Sequence, residues 1–250
     1  MFPLAVAITL ILGLALIIYA RQTQPAEGAT PPQLNDHWHM AYGFYLCDTW
    51  YILEGALEER DANGNMANRK YLRTTIHSHD DGVIHWHPYT TVAVGKRAKL
   101  GIFLDNYNVE IDDNSLRFPD NFVMFDPDDP AKVPMSVASE WIEGETKCNG
   151  EDAELSVVKW NVWSDLERDG ERYIANMGNI PITQDGMAFA IMFAPRDVGK
   201  IKPPTYDNLE ELGAIDMGIN APNPSDFIQD GDGVVVTLAE GTLPPATTGG

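Results

Sequence analysis

All six histidines of this 250-residue chain fall in three His-X-His pairs: His37/His39, His77/His79 and His85/His87. Pairs at i and i+2 share a face only in extended chain. There they stand about 6–7 Å apart, within reach of one metal ion or of two adjacent ions. The chain must therefore supply strands at three places between positions 37 and 87, and the pattern around each pair predicts that it does. From His37 to Cys47 the residues alternate. Trp38, Met40, Tyr42, Phe44 and Leu46 make one bulky apolar face, and His37, His39, Ala41, Gly43, Tyr45 and Cys47 make the other.

Thr74 to Pro88 reads as a β-hairpin, and its turn decides whether the histidines cluster. A three-residue loop Asp80-Asp81-Gly82, with glycine at the left-handed position, aligns His77 with His85 and Thr75 with His87. All four hairpin imidazoles then share a face opposite Ile76, Ile84 and Trp86. A two-residue Asp81-Gly82 turn shifts the register by one and splits the pairs between faces. The turn chemistry favours the clustered register.

Neutral imidazole is the commonest ligand for Zn, Cu, Ni and Fe. The expectation is a transition-metal site, Zn or Cu, formed by His37, His39, His77, His79, His85 and His87. Two other readings fit the same face. One is a non-catalytic envelope interaction or pH-responsive module. The other is a metal-dependent enzyme using Asp36, Asp80 or Asp81 as acid or base, although aspartates here also suit turns and caps. Known catalytic patterns fit poorly. Gly82 stands where a metallo-β-lactamase-like His-X-His-X-Asp-His motif needs its last histidine, and no histidine follows position 87. A cupin-like pattern wants a glutamate soon after a His-X-His pair, and neither His79 nor His87 has one. The Gly-rich phosphate loop and the Gly-X-Ser-X-Gly elbow are both missing.

Elsewhere the class is α+β, mostly antiparallel sheet with one clear amphipathic helix. Leu100, Phe103, Leu104 and Tyr107 predict that helix, about three turns long. Glu58 to Arg69 reads as a polar excursion, and Phe125 to Pro130 as a solvated acidic loop. Further strands are expected over 109–111, 153–163, 187–194 and 233–238. The net charge of −20 argues against nucleic acid as a partner, because phosphate contacts need clustered Lys and Arg.

Met1 to Ala20 carry no charged side chain. A helix of that length spans roughly 30 Å, the hydrocarbon thickness of a bilayer. The expected organisation is a transmembrane anchor over 1–22, a linker over 23–35, a globular domain over 36–240 and a loose tail over 241–250. The membrane is then a partner through the N-terminal helix. Arg21, the only nearby cation, lies on the wrong flank for an exported domain. Either the true start lies upstream or the domain is cytoplasmic. Cys47 and Cys148 form one long-range disulfide or remain two buried thiols, and the disulfide, which is preferred, requires an oxidising, extracytoplasmic compartment.

The segments 36–43 (Asp36-His37-Trp38-His39-Met40-Ala41-Tyr42-Gly43) and 76–88, which carries all four hairpin histidines, resemble a family of uncharacterised actinobacterial membrane-anchored proteins. The likeness continues through Gly95-Lys96, Leu100-Gly101, Asp113 to Leu116, Glu143 to Cys148 and Asp185 to Phe189. The resemblance implies one N-terminal anchor with the domain facing outward, a single-pass protein of the cell membrane. It implies no activity. This chain departs from the pattern in lacking a basic flank before the anchor and in carrying extra acidic loops.

Overall fold

The computed structural model describes residues 2–22, 30–163 and 170–209. The strand expected over 233–238 and the tail lie outside the described residues, as does most of the expected linker. Among the described residues the α-helices are α1 (Phe2–Gln22), α2 (Arg69–Thr74) and α3 (Leu100–Asn106). The first strands in the chain are β1 (Trp38–Leu46), β2 (Thr49–Leu53), β3 (Ile76–His77) and β4 (Val83–Trp86). The small β5 (Glu110–Ile111) and β6 (Ser115–Arg117) follow. Next come β7 (Val123–Phe125), β8 (Met135–Ser136), β9 (Glu140–Ile142), β10 (Lys147–Cys148) and β11 (Glu151–Asp152). The long β12 (Glu154–Trp160), β13 (Glu171–Tyr173) and β14 (Ala188–Ala194) complete the set. The class is α+β with a mostly antiparallel sheet.

Nine strands join in the main sheet, in the order β13-β12-β14-β1-β2-β7-β8, with the β3–β4 hairpin attached through β4 to β1. Alternation places Met40, Tyr42, Phe44 and Leu46 of β1 in the principal core, beside Phe103 and Leu104 of α3. The other face of β1 is not left to solvent. Ala41 packs there with Val83, Val158, Ala188, Ala190, Met192 and Leu209 in a second apolar cluster. Burial on both faces explains why β14 reads Ala-Phe-Ala-Ile-Met-Phe-Ala without a polar alternate. The β1–β14 pair is also parallel, from Ala41↔Ala188 to Leu46↔Phe193.

The remaining differences from expectation are local. α3 spans seven residues rather than three turns, because Asn108 adopts a left-handed φ of 56°. The Val109 amide then turns back to the Leu104 carbonyl. The excursion after Glu58 is ordered by an Arg60↔Met66 bridge and ends in α2, whose N-cap Asn68 accepts from the Tyr71 amide. The segment read as linker is tied to the fold at Pro32, whose carbonyl accepts from the Gly95 amide at 2.8 Å. The acidic loop after Phe125 is a run of turns in which Asp126 and Asp129 accept from nearby backbone amides. Cys47 and Cys148 are disulfide-bonded, with Cα atoms 5.0 Å apart across 101 positions.

α1 forms over the expected span, and its described side chains, including Leu10, Ile11, Leu14, Leu16 and Ile17, are exposed. Among the described residues no helix is long and apolar enough to cross a membrane, so the fold does not establish the anchor.

α3 braces the hairpin that carries four of the histidines. The Asn106 side-chain amide donates to the Ile76 carbonyl at 2.7 Å, and the Tyr107 hydroxyl accepts from the Ser78 amide at 2.9 Å. The helix approaches its neighbour closely at Gly101, where an added Cβ would lie 2.7 Å from the Gly178 carbonyl oxygen. Both groups are held by backbone, so neither side can swing away. Gly101→Ala should therefore lower stability by about 1–3 kcal/mol despite alanine's better helix propensity. The urea midpoint of the full chain checks this, and a rise in midpoint would show that the contact yields.

Candidate metal centre

The sheet register brings the histidines together. β4 lies between β1 and β3, with His39↔His85 and His77↔His85 as directly paired residues. Three imidazoles thus form one row across three strands. On the same strands Trp38↔Trp86, Met40↔Ile84 and Ile76↔Trp86 form the core side. The clustered register is the one adopted, with Gly82 left-handed at φ 71°. One departure is that Thr75 is not a strand residue but the left-handed C-cap of α2. Its hydroxyl still reaches across to the His87 carbonyl.

The row continues the face of the second apolar cluster. Moving along β1 and β4, the pair Ala41↔Val83 sits within that cluster, and the next pair on the face is His39↔His85. His77, His85 and His87 are buried, His39 is half-buried, and His37 and His79 are exposed, so the rings run from the surface into the domain.

Two triads result. His37, His39 and His87 offer ligand nitrogens that all lie within 4.8 Å of one another, and so do His77, His79 and His85. Within the first, the His37 and His39 Nε2 atoms are 3.2 Å apart. Within the second, the His77 and His79 Nε2 atoms are 3.0 Å apart. Two nitrogens on one tetrahedral ion at 2.0–2.1 Å would stand about 3.3 Å apart, so both pairs are near that edge length. The triads touch: ring centroids are 5.0 Å apart for His39–His85, 5.5 Å for His77–His87 and 5.9 Å for His85–His87. Either triad has the spacing to hold an ion.

Surrounding groups fix the rings. The His77 Nδ1 lies 3.2 Å from the Thr75 carbonyl, which can only accept, so the proton belongs on Nδ1 and the lone pair on Nε2. The His85 Nε2 lies 2.9 Å from Asp81 Oδ2. Burial acts to raise the Asp81 carboxyl. The hydrogen bond and charge of His85, the Val83 amide and His79 outweigh it, holding Asp81 below the ordinary carboxylate range. Asp81 is therefore the acceptor, and in its neutral form His85 would carry its lone pair on Nδ1. A carboxylate or carbonyl behind an imidazole is the arrangement that orients metal-binding histidines.

Beneath this lies a buried polar chain. The Tyr42 hydroxyl donates to Ser78 Oγ at 3.1 Å and accepts from the Leu53 amide at 2.9 Å. Ser78 Oγ in turn donates to Asp81 Oδ1 at 3.2 Å. Burial keeps the Tyr42 and Tyr107 hydroxyls protonated by raising both well above their ordinary value.

Of the three aspartates considered as acid or base, only Asp81 contacts an imidazole among these bonds. Asp36 accepts from the Gln33 amide, and Asp80 accepts from the Gly55 amide. The residue that sequence reasoning missed is Glu58. Its Oε1 lies 3.5 Å from His77 Nε2, and its Oε2 lies 3.7 Å from His79 Nδ1. Its position in a polar stretch nearly twenty residues before the hairpin carries no signal of that contact.

No protein-family model, curated protein or solved structure matches this chain, so the functional reading rests on the geometry of the triads.

Tyr42→Phe isolates the polar chain, since it leaves the buried Leu53 amide without its acceptor and Ser78 without its donor. The expected cost is about 1–3 kcal/mol, read from equilibrium unfolding. A loss below about 0.5 kcal/mol, the range of a neutral surface change, would mean another group takes the hydroxyl's place.

Proposed function

We propose that this protein is a membrane-tethered, extracytoplasmic transition-metal-binding protein that takes Zn or Cu in its paired histidine triads. The observation that carries the reading is the convergence of six imidazoles from β1 and the β3–β4 hairpin into two sets with ligand spacing. Imidazole nitrogens suit Zn and Cu better than the hard cations Ca and Mg, which prefer oxygen. The ring-orienting bonds to Thr75 and Asp81 support the same reading, because they place lone pairs on defined nitrogens in advance of binding. The strong net negative charge draws cations toward the surface in general.

Export is supported by the Cys47–Cys148 disulfide, a bond that persists in oxidising compartments. It is also supported by the resemblance to the outward-facing actinobacterial family. The tether is supported by the uncharged run Met1 to Ala20. If α1 is the anchor, the full chain sediments with membranes after alkaline carbonate washing, and a chain starting at Thr30 does not. Equal release of both would remove the tether.

Metal binding is tested by elemental analysis of the full chain, purified without chelator. The expected content is up to two ions per chain. His77→Ala with His85→Ala should abolish one, and His37→Ala with His39→Ala, closer to the surface, should abolish the other. Saturating Zn²⁺ at 100 times its Kd should add about 2.7 kcal/mol to unfolding stability, reversed by chelator. An unaltered chain that carries no metal and gains no stability from Zn²⁺ or Cu²⁺ overturns the proposal.

A further inference from the structure

We infer that Glu58 is a carboxylate ligand to the ion held by His77, His79 and His85, so that the two triads are unequal and the inner one loads first. This rests on the metal-binding reading and adds to it a residue and an order of occupancy.

Three observations place the carboxylate at the inner set. Its Oε1 stands 3.5 Å from His77 Nε2, within a few tenths of an ångström of the roughly 3.3 Å edge of a tetrahedral site, and its Oε2 lies 3.7 Å from Nδ1 of His79, on the far side of that ring from the Nε2 that faces His77. The side chain is only 20% exposed, so it is held against the imidazoles and not merely near them. The Tyr71 hydroxyl donates to Oε1 at 2.8 Å, aiming the carboxylate, while the Tyr71 ring packs edge-on against His77 with centroids 5.3 Å apart. Tyr71 is itself fixed by the Asn68 cap of α2. The loop carrying Glu58 is closed by the bond from the Ala67 amide to the Glu59 carbonyl and by the Arg60↔Met66 bridge.

A largely buried carboxylate facing imidazoles is costly unless a cation shares the site. A divalent ion supplies that charge, and three neutral imidazoles with one carboxylate complete a tetrahedral shell. Each triad opens toward solvent at one ring, His37 in the outer set and His79 in the inner, but the inner set has two buried rings and the outer only one. The negative ligand and the greater burial both favour the inner ion, which therefore binds more tightly and exchanges more slowly.

The test uses the full chain, stripped with chelator and titrated separately with Zn²⁺ and Cu²⁺ against a chromophoric competitor. Two binding steps are expected in the unaltered chain. Glu58→Gln, nearly isosteric, should weaken the tighter step on the order of 100-fold and leave the weaker step in place. Tyr71→Phe, which removes only the aiming hydroxyl, should weaken the same step about 10-fold. His37→Ala with His39→Ala should remove the weaker step alone. If the unaltered chain binds two ions and neither Glu58→Gln nor Tyr71→Phe changes the tighter step, Glu58 is not a ligand and the metal-binding reading survives. An unaltered chain that binds neither ion overturns both.

Discussion

The pairing of β4 between β1 and β3 is the constraint on which the rest of the centre depends. Each of these strands presents a large apolar residue to one side and an imidazole to the other, so a single register serves both the core and the site. A slip of one residue would carry His85 into the volume filled by Ile84 and Trp86, which are fully buried. Apolar burial of the size of one tryptophan and two isoleucines, at roughly 1.5–3 kcal/mol per large side chain, thus holds the histidines in place without any contribution from the rings themselves. Gathering polar rings costs free energy, and the core on the reverse face of the same strands offsets it.

The second cluster sets where the site begins. Along the histidine face, the sheet is covered by apolar side chains as far as Ala41 and Val83, and the imidazoles occupy the end where that cover stops. Burial therefore falls from His77, His85 and His87 inside to His37 and His79 at the surface. The Tyr42–Ser78–Asp81–His85 chain extends this logic inward, because each buried polar atom in it meets a partner and the last partner is a ring nitrogen. The polar interior is continuous with the site, and rigidity in one is rigidity in the other.

The sequence carried the parts of this that depend on period and turn chemistry. The three-residue turn with glycine at position 82 was sufficient to put the hairpin histidines in one register, and the structure agrees in pairing His77 with His85. Pattern alone did not reveal that the histidine face of β1 is partly an interior surface, since Ala41, Gly43 and Tyr45 look like the mild face of a half-exposed strand. That burial arises from the segment after β14, whose Ile201, Tyr206 and Leu209 pack in the second cluster with Ala41, from some 160 positions away. Glu58 was illegible for a related reason. It reaches His77 through the path of the loop and the packing of α2, and neither leaves a periodic trace in so polar a segment. The short α3 is different in kind. Its apolar spacing was read correctly, and a single left-handed asparagine, tolerated at position 108, ended the helix early.

β1 is secured differently at its two ends. At its C-terminal end, Cys47 ties it to Cys148, closing a loop long enough that the cross-link is nominally worth about 4–5 kcal/mol through the unfolded state. At its N-terminal end, His37 and His39 meet the hairpin imidazoles, and the covalent chain offers no equivalent bond. Direct ring–ring contacts there are a weak fastening, because imidazoles gain little from one another beyond what water would give them. Two ions, one joining β1 to the hairpin through His37, His39 and His87 and the other joining the hairpin to the Glu58 loop, would together cross-link three stretches of chain, as the disulfide links two. Metal binding and the mechanical integrity of that end of β1 are then one property, so losing the outer ion should loosen the β1–β4 seam before it disturbs the disulfide-bound end.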